Sequence, residues 1–367
     1  RANSSILHCR WFLQYSTECL MSPEANPQNR ESVAPRRAED ALPPVEPPNA
    51  GFIVQLFFIP LLIVSIIVGI WLMFSWIAQA GSNPRSLVAE MRKNNDASWQ
   101  RAFELANLLR NSATESIKDD ADFAKELCDF LEAEMKQASK VQHKVKLRVF
   151  LCRAIGQFHT DVVVTTLLRV ITTPAEGSEL EVQISAVEAI AVFVHERGSQ
   201  PLAQRDEIVA ALAEASRSST ENADQRRLYD ELRSRAAFAL GVTGSDAALN
   251  RLHELLDDSY PNTRFNATTG LARHGDPRAM PGLLEMLDPD NVALSADEVS
   301  DSEKANKRVW VLQNGIYAAQ KYLPGREADS NVLIEAVEKL TSADVPDSVQ
   351  LEAKNLLFSL RGGERGK

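Results

Sequence analysis

Residues 263–287 read TRFNATTGLARHGDPRAMPGLLEML, and two other stretches align with them without gaps. They are LRVFLCRAIGQFHTDVVVTTLLRVI at 147–171 and LRSRAAFALGVTGSDAALNRLHELL at 232–256, so the offsets are 85 and 31 residues. Arg148, Arg233 and Arg264 coincide, as do Leu151, Ala236 and Ala267. Ile155, Leu240 and Leu271 share a register, followed by Leu167, Leu252 and Leu283, then Ile171, Leu256 and Leu287. In the first half of each copy, apolar or small residues recur at i, i+4 and i+8. In the second half they recur at i, i+3 and i+4. Both spacings place one apolar stripe on an α-helix. Between the stripes Thr160, Ser245 and Asp276 coincide. All three are N-cap types, whose side-chain oxygen accepts a bond from a free backbone N–H. Pro277 follows at the first helical position, where a missing N–H costs nothing. The unit is a helix–turn–helix, and stacked copies bury their apolar faces on one another.

Looser copies extend the array. ISAVEAIAVFVHE (184–196) reads as a first helix with DEIVAALAEA (206–215) as its partner. RVWVLQNGIYAAQKYL (308–323) pairs with NVLIEAVEKL (331–340), and SVQLEAKNLLFSL (348–360) reads as a terminal helix. SWQRAFELANLLR (98–110) and DFAKELCDFLEAEM (122–135) lead into it. No set of segments shows the period-2 alternation of strands. The expected fold is all-α, with about five to six helical hairpins and some 12 helices over 98–361, then a disordered tail at 362–367. The stretch at 263–289 resembles the HEAT-like repeat of the phycobilisome-lyase type, and the resemblance covers roughly 98–360, most strongly 232–288. That resemblance implies a right-handed α-solenoid whose concave face commonly binds another protein.

Upstream, Phe52 to Ile77 form an apolar block without charge, long enough to cross a bilayer. A single transmembrane helix is expected over 51–79, with a juxtamembrane linker at 80–97. Pro60 is tolerable within a membrane helix. Trp71 and Trp76 stand near one end, where indoles favour the headgroup level. Ser65 and Gly69 make one small-xxx-small pair. With Phe52, Pro60, Gly69, Trp71 and Trp76, this is the candidate anchor. Flanking charges tie: Arg30, Arg36 and Arg37 on one side, Arg85, Arg92 and Lys93 on the other. Arg85 is nearest the apolar edge, and the reading taken is a single-pass membrane protein with a cytoplasmic C-terminal domain. Residues 1–50 are rich in Pro and polar side chains and are expected to be a disordered arm. One reading has Met21 as the initiator and residues 1–20 as an over-long gene start.

The chain has 367 residues and a net charge of −10. From Gln79 onward 35 Lys and Arg face 44 Asp and Glu, a balance that repels phosphate backbones, so no nucleic-acid partner is expected. Cys9, Cys19, Cys128 and Cys152 match no zinc or redox spacing, and Cys128 and Cys152 read as small buried residues.

Chemistry-bearing clusters are sparse. HEAT-like deoxyhypusine hydroxylases, which this architecture resembles, hold two irons through His-Glu pairs. Here His195-Glu196 and His253-Glu254 fall out of register, and His253 aligns with Leu168 and Leu284 as a semi-buried packing position. The loop 288–303 lacks the glycine and terminal glutamate of a calcium loop. Phosphate loops, nucleophile elbows and HExxH motifs are absent from the sequence. The arginines at 148, 233 and 264 are expected to pair with an acid or carbonyl of the preceding unit, with Asp257 and Asp258 as candidates for Arg264. No catalytic residue, cofactor or metal is assigned. The expected function is a non-enzymatic, membrane-anchored scaffold or adaptor for a protein partner. A HEAT-like enzyme of bilin-lyase or metal-dependent type is the alternative, and a structural subunit of an envelope complex is a third.

Overall fold

The computed structural model describes residues 50–79, 84–93, 95–111, 114–137, 140–198, 205–324 and 327–363. The expectations for 1–49 and for 364–367 lie outside the described residues. Contacts divide the chain into two units, with the boundary after Gln79.

The first unit holds α1, Ala50–Gln79. It continues through Pro60, and it carries no acidic residue in its first turn and no basic residue in its last. Its segment Val54–Met73 is long and apolar enough to cross a membrane, at a mean hydropathy of 2.8. None of that segment is buried against protein. Twenty residues of helix rise roughly 30 Å, the thickness of a bilayer's hydrocarbon core. Trp71 is 65% exposed. The Phe52 and Trp76 side chains lie outside the described residues.

The second unit is an all-α solenoid, α2 to α16. Its helices are α2 (Pro84–Met91), α3 (Ser98–Arg110), α4 (Glu115–Lys118), α5 (Ala121–Gln137), α6 (Gln142–Ile155) and α7 (Val162–Thr172). They continue as α8 (Glu179–Arg197), α9 (Arg205–Ala215), α10 (Ala223–Thr243), α11 (Asp246–Glu254) and α12 (Pro261–Arg273). The last are α13 (Met280–Leu287), α14 (Asp301–Tyr322), α15 (Glu327–Leu340) and α16 (Asp347–Gly363). In a first layer α3, α6, α8, α10, α12, α14 and α16 pack side by side. The helices α2, α5, α7, α9, α11, α13 and α15 lie on the other side, each packed on the first-layer helix that follows it. Six successive pairs, α3/α5 to α14/α15, are thereby flanked by α2 and α16.

The span 80–97, read from sequence as a linker, contains α2. Leu87, Val88 and Met91 are buried there, so the packed array starts at Pro84 rather than Ser98. Eight residues give too short a periodic run to stand out beside an apolar block of three times the length. Arg85 pairs with Asp120 at 2.6 Å and Arg92 with Glu126 at 3.2 Å, tying α2 to α5. At the other end α16 runs to Gly363, into the stretch read as tail.

The repeat residues form the seam between layers. Leu151, Ile155, Leu167, Leu240, Leu252, Leu271 and Leu283 all lose their whole surface to neighbours. Each such side chain stabilises by about 1.5–3 kcal/mol. Small residues set how closely the first-layer helices approach. Gly241 of α10 faces Gly270 of α12, and a Cβ placed on Gly241 would stand 2.7 Å from the Gly270 Cα. Gly156, which shares the Gly241 register, would meet the Ala189 backbone at the same distance.

Cys128 and Cys152 are free thiols buried in this core. Burial pushes the first up to about 11 and the second to about 12. In a variant with Cys9 and Cys19 changed to Ser, Ellman's reagent at pH 8 should label both only on unfolding. The thiolate deficit predicts native labelling at least ~100-fold slower than for an exposed thiol. Fast native labelling would mean that the array opens readily.

The longest helix of the solenoid, α14, starts on a capping box. Ser300 Oγ accepts from the Glu303 N–H at 3.2 Å, and Glu303 Oε2 accepts from the Ser300 N–H at 3.0 Å. Ser300→Ala should cost about 1 kcal/mol of stability, read as a lower urea midpoint. The Ser300 hydroxyl and then its N–H hold the Glu303 carboxyl below its ordinary value. The Glu303 contribution is therefore present above the ordinary carboxylate range and lost as pH falls through the depressed one. The Ser300→Ala deficit should shrink below pH 4.

Candidate interaction surface

The three register arginines act as joints between neighbouring units. Arg148 is fully buried and forms an ion pair with Glu179, at the start of α8. Arg233 Nε donates to Asp258 Oδ2 at 2.9 Å and its Nη2 to Asp230 at 2.7 Å. Arg264 Nη1 donates to the Asp258 carbonyl at 3.0 Å and its Nη2 to Glu285 at 2.9 Å. Asp258 thus serves two arginines, one through its carboxylate and one through its backbone oxygen. Glu179 belongs to the unit that follows Arg148, whereas Arg233 draws on its own helix at Asp230, on the preceding loop at the Ser218 carbonyl and on the following loop at Asp258.

At the turns, Ser245 Oγ accepts from the Ala248 N–H at 3.2 Å. Asp276 Oδ1 accepts from the Arg278 N–H at 2.9 Å and also pairs with the Arg278 side chain. Thr160 differs: Asp161 holds the N-cap position of α7 without a side-chain capping bond, and the Val162 N–H donates to Thr160 Oγ1 at 3.4 Å. His195 and Glu196 end α8 in exposed positions. His253 is exposed too, not semi-buried, because the outer face of a nine-residue helix has no further layer above it. Among the described residues no group of three or more His, Cys, Asp or Glu could hold a metal ion.

A patch of different chemistry covers the outer side of α3 and α6. The Trp99 and Phe150 rings stack with centroids 6.1 Å apart, and Phe103 meets Phe150 edge-on at 5.1 Å. Phe103 is 47% exposed, the large exposed aromatic of the first layer's beginning. Lys146 Nζ sits 4.9 Å above the Trp99 ring and Arg153 Cζ 5.3 Å above Phe150. Arg153 reaches Glu188 of α8 only at 3.6 Å, and Glu188 is shared with Arg235 of α10 at 3.3 Å. Sequence periodicity gave Trp99, Phe103 and Phe150 no special standing, since aromatic residues at helical spacing read as core. What signals the patch is their pairing with Lys146 and Arg153 across two helices 40 to 50 residues apart in sequence.

A cleft of about 770 Å³ lies elsewhere, among the loops joining α9 to α10, α11 to α12 and α13 to α14. Its arginines are compensated from within: Arg233 by Asp258 and Asp230, Arg251 by Glu254 and Ser216. These ion pairs tie the loops of the wall together.

Residues 225–298, which span α10 to α13 and the loop beyond, match the family profile of HEAT repeats. This segment is HEAT-like. No curated protein shows significant similarity to the chain. The second unit as a whole is a helical-repeat solenoid of the scaffold type, the kind of array that HEAT repeats build for protein–protein interaction.

Proposed function

We propose that the chain is a single-pass membrane protein whose solenoid acts as a non-catalytic scaffold for a protein partner. The observation that carries this reading is the pairing of one fully unburied apolar helix, Val54–Met73, with a repeat array. Exposed Leu, Ile and Phe along twenty residues cost free energy in water and none in lipid. The array supplies an extended surface rather than an enclosed pocket, which suits a macromolecule better than a small substrate. The flanking arginines, with Arg85 nearest the apolar edge, favour a cytoplasmic solenoid.

Fractionation tests the anchor. The full chain should stay in the membrane pellet through alkaline carbonate, and a form lacking residues 50–79 should be soluble. Release of the full chain by carbonate would overturn the anchor. A C-terminal tag should resist protease in intact cells, and its digestion would reverse the orientation.

A further inference from the structure

We infer that the aromatic–cationic patch on α3 and α6 is the docking site for an acidic segment of a partner protein, one that carries a bulky apolar side chain. The inference rests on the scaffold reading and names the surface that reading lacks.

Charge complementarity selects the occupant. The domain after Gln79 has nine more acids than bases, yet Lys146 lies over Trp99 and Arg153 over Phe150, with Glu188 3.6 Å from Arg153. Lys146 and Arg110 form no ion pair among the described residues, and the buried Nε of Arg153 has no hydrogen-bond partner. Arg110 is held below its ordinary value by burial and then by neighbouring Arg153, so the two guanidiniums feel each other. Like charges placed together gain when an anion enters between them. The second layer has the opposite character, with exposed acids at Asp122, Asp129, Glu207, Glu214, Glu335 and Glu338. An acidic segment is therefore attracted to one face and repelled by the other.

The rings define the rest. Phe103, half exposed beside Phe150 and Trp99, gives an apolar side chain a partly desolvated seat, the kind of position where interface energy concentrates. From α3 across α6 and α8 to α10 the helices succeed one another at 8–10 Å each. An extended segment of about nine residues covers that roughly 30 Å, ending near Arg235. Nucleic acid shares a taste for cations and rings, but a continuous polyanion would meet the net negative field of the domain.

The probe is a fluorescein-labelled peptide of Glu and Asp with Phe at every fourth position, titrated into the full chain in detergent at low salt. Binding should weaken at least tenfold with Lys146→Glu or Arg153→Glu and several-fold with Phe103→Ala. Arg153→Gln serves where reversal lowers the melting temperature. Raising NaCl from 50 to 300 mM should also weaken binding severalfold. Absence of binding, equal binding by all variants, or tighter binding of a Lys/Arg peptide or of an oligothymidine would each overturn the assignment. Photocrosslinking of the full chain in membranes separates this inference from the scaffold reading. Adducts from position 103 to an acidic protein segment support the patch. Adducts from position 332 on α15 but not from 103 remove the patch and leave the scaffold. Adducts from neither remove both.

Discussion

Glu179→Gln should lower the stability of the solenoid by about 3–5 kcal/mol, the usual cost of removing one partner from a buried pair. Arg148 has no exposed surface, and its guanidinium meets the Glu179 carboxylate across the α6–α8 junction. Gln keeps the shape and removes the charge, so a cation stays in the interior without this counter-ion. Arg148→Met in the same background should recover most of the loss, because the buried charge disappears with its requirement. Urea unfolding followed by circular dichroism reads both variants. A change under about 1 kcal/mol for Glu179→Gln would mean that the other contacts of Arg148 carry the joint.

Gly241→Val should cost about 3 kcal/mol. The reasoning turns on a sign. On an open helix face, replacing Gly by a residue with a side chain stabilises by up to about 1 kcal/mol through helix propensity. At Gly241 the new Cβ would stand 2.7 Å from the Gly270 backbone, and a backbone atom cannot swing aside. Helices α10 and α12 must part, and the seam of Leu240 and Leu271 opens with them. Gly241→Ala gives a milder version of the same loss. Thermal melts decide the matter: a raised midpoint for either variant would mean that the two helices do not approach as closely as described.

Much of this architecture was legible from spacing. The triples at Leu151, Ile155 and Leu167 identify the seam because burial between layers demands an apolar residue at the same register of every copy. The helix starts at Ser245 and Asp276 could be read because capping is local chemistry within three residues. The partners of the arginines could not. Glu179 lies 31 residues after Arg148, Asp258 lies 25 after Arg233, and Glu285 lies 21 after Arg264. The register is shared, but the acid is supplied from a different place each time, and only the folded stack brings them together. Helix α2 was hidden for another reason: its three buried residues acquire meaning only against α3. The patch on α3 and α6 was invisible for the same reason, since Phe103 and Arg153 belong to different helices of the first layer.

Because each second-layer helix packs on the first-layer helix that follows it, the array is completed in the order in which it is synthesised. A newly made helix finds its partner a few tens of residues away, already emerged or about to emerge. Only one unfinished face needs protection at any moment, so the growing chain exposes a small and constant sticky surface instead of an accumulating one. On this view the ribosome sets the pace of assembly, and a pause in translation leaves a shorter solenoid awaiting its next layer rather than a misfolded one.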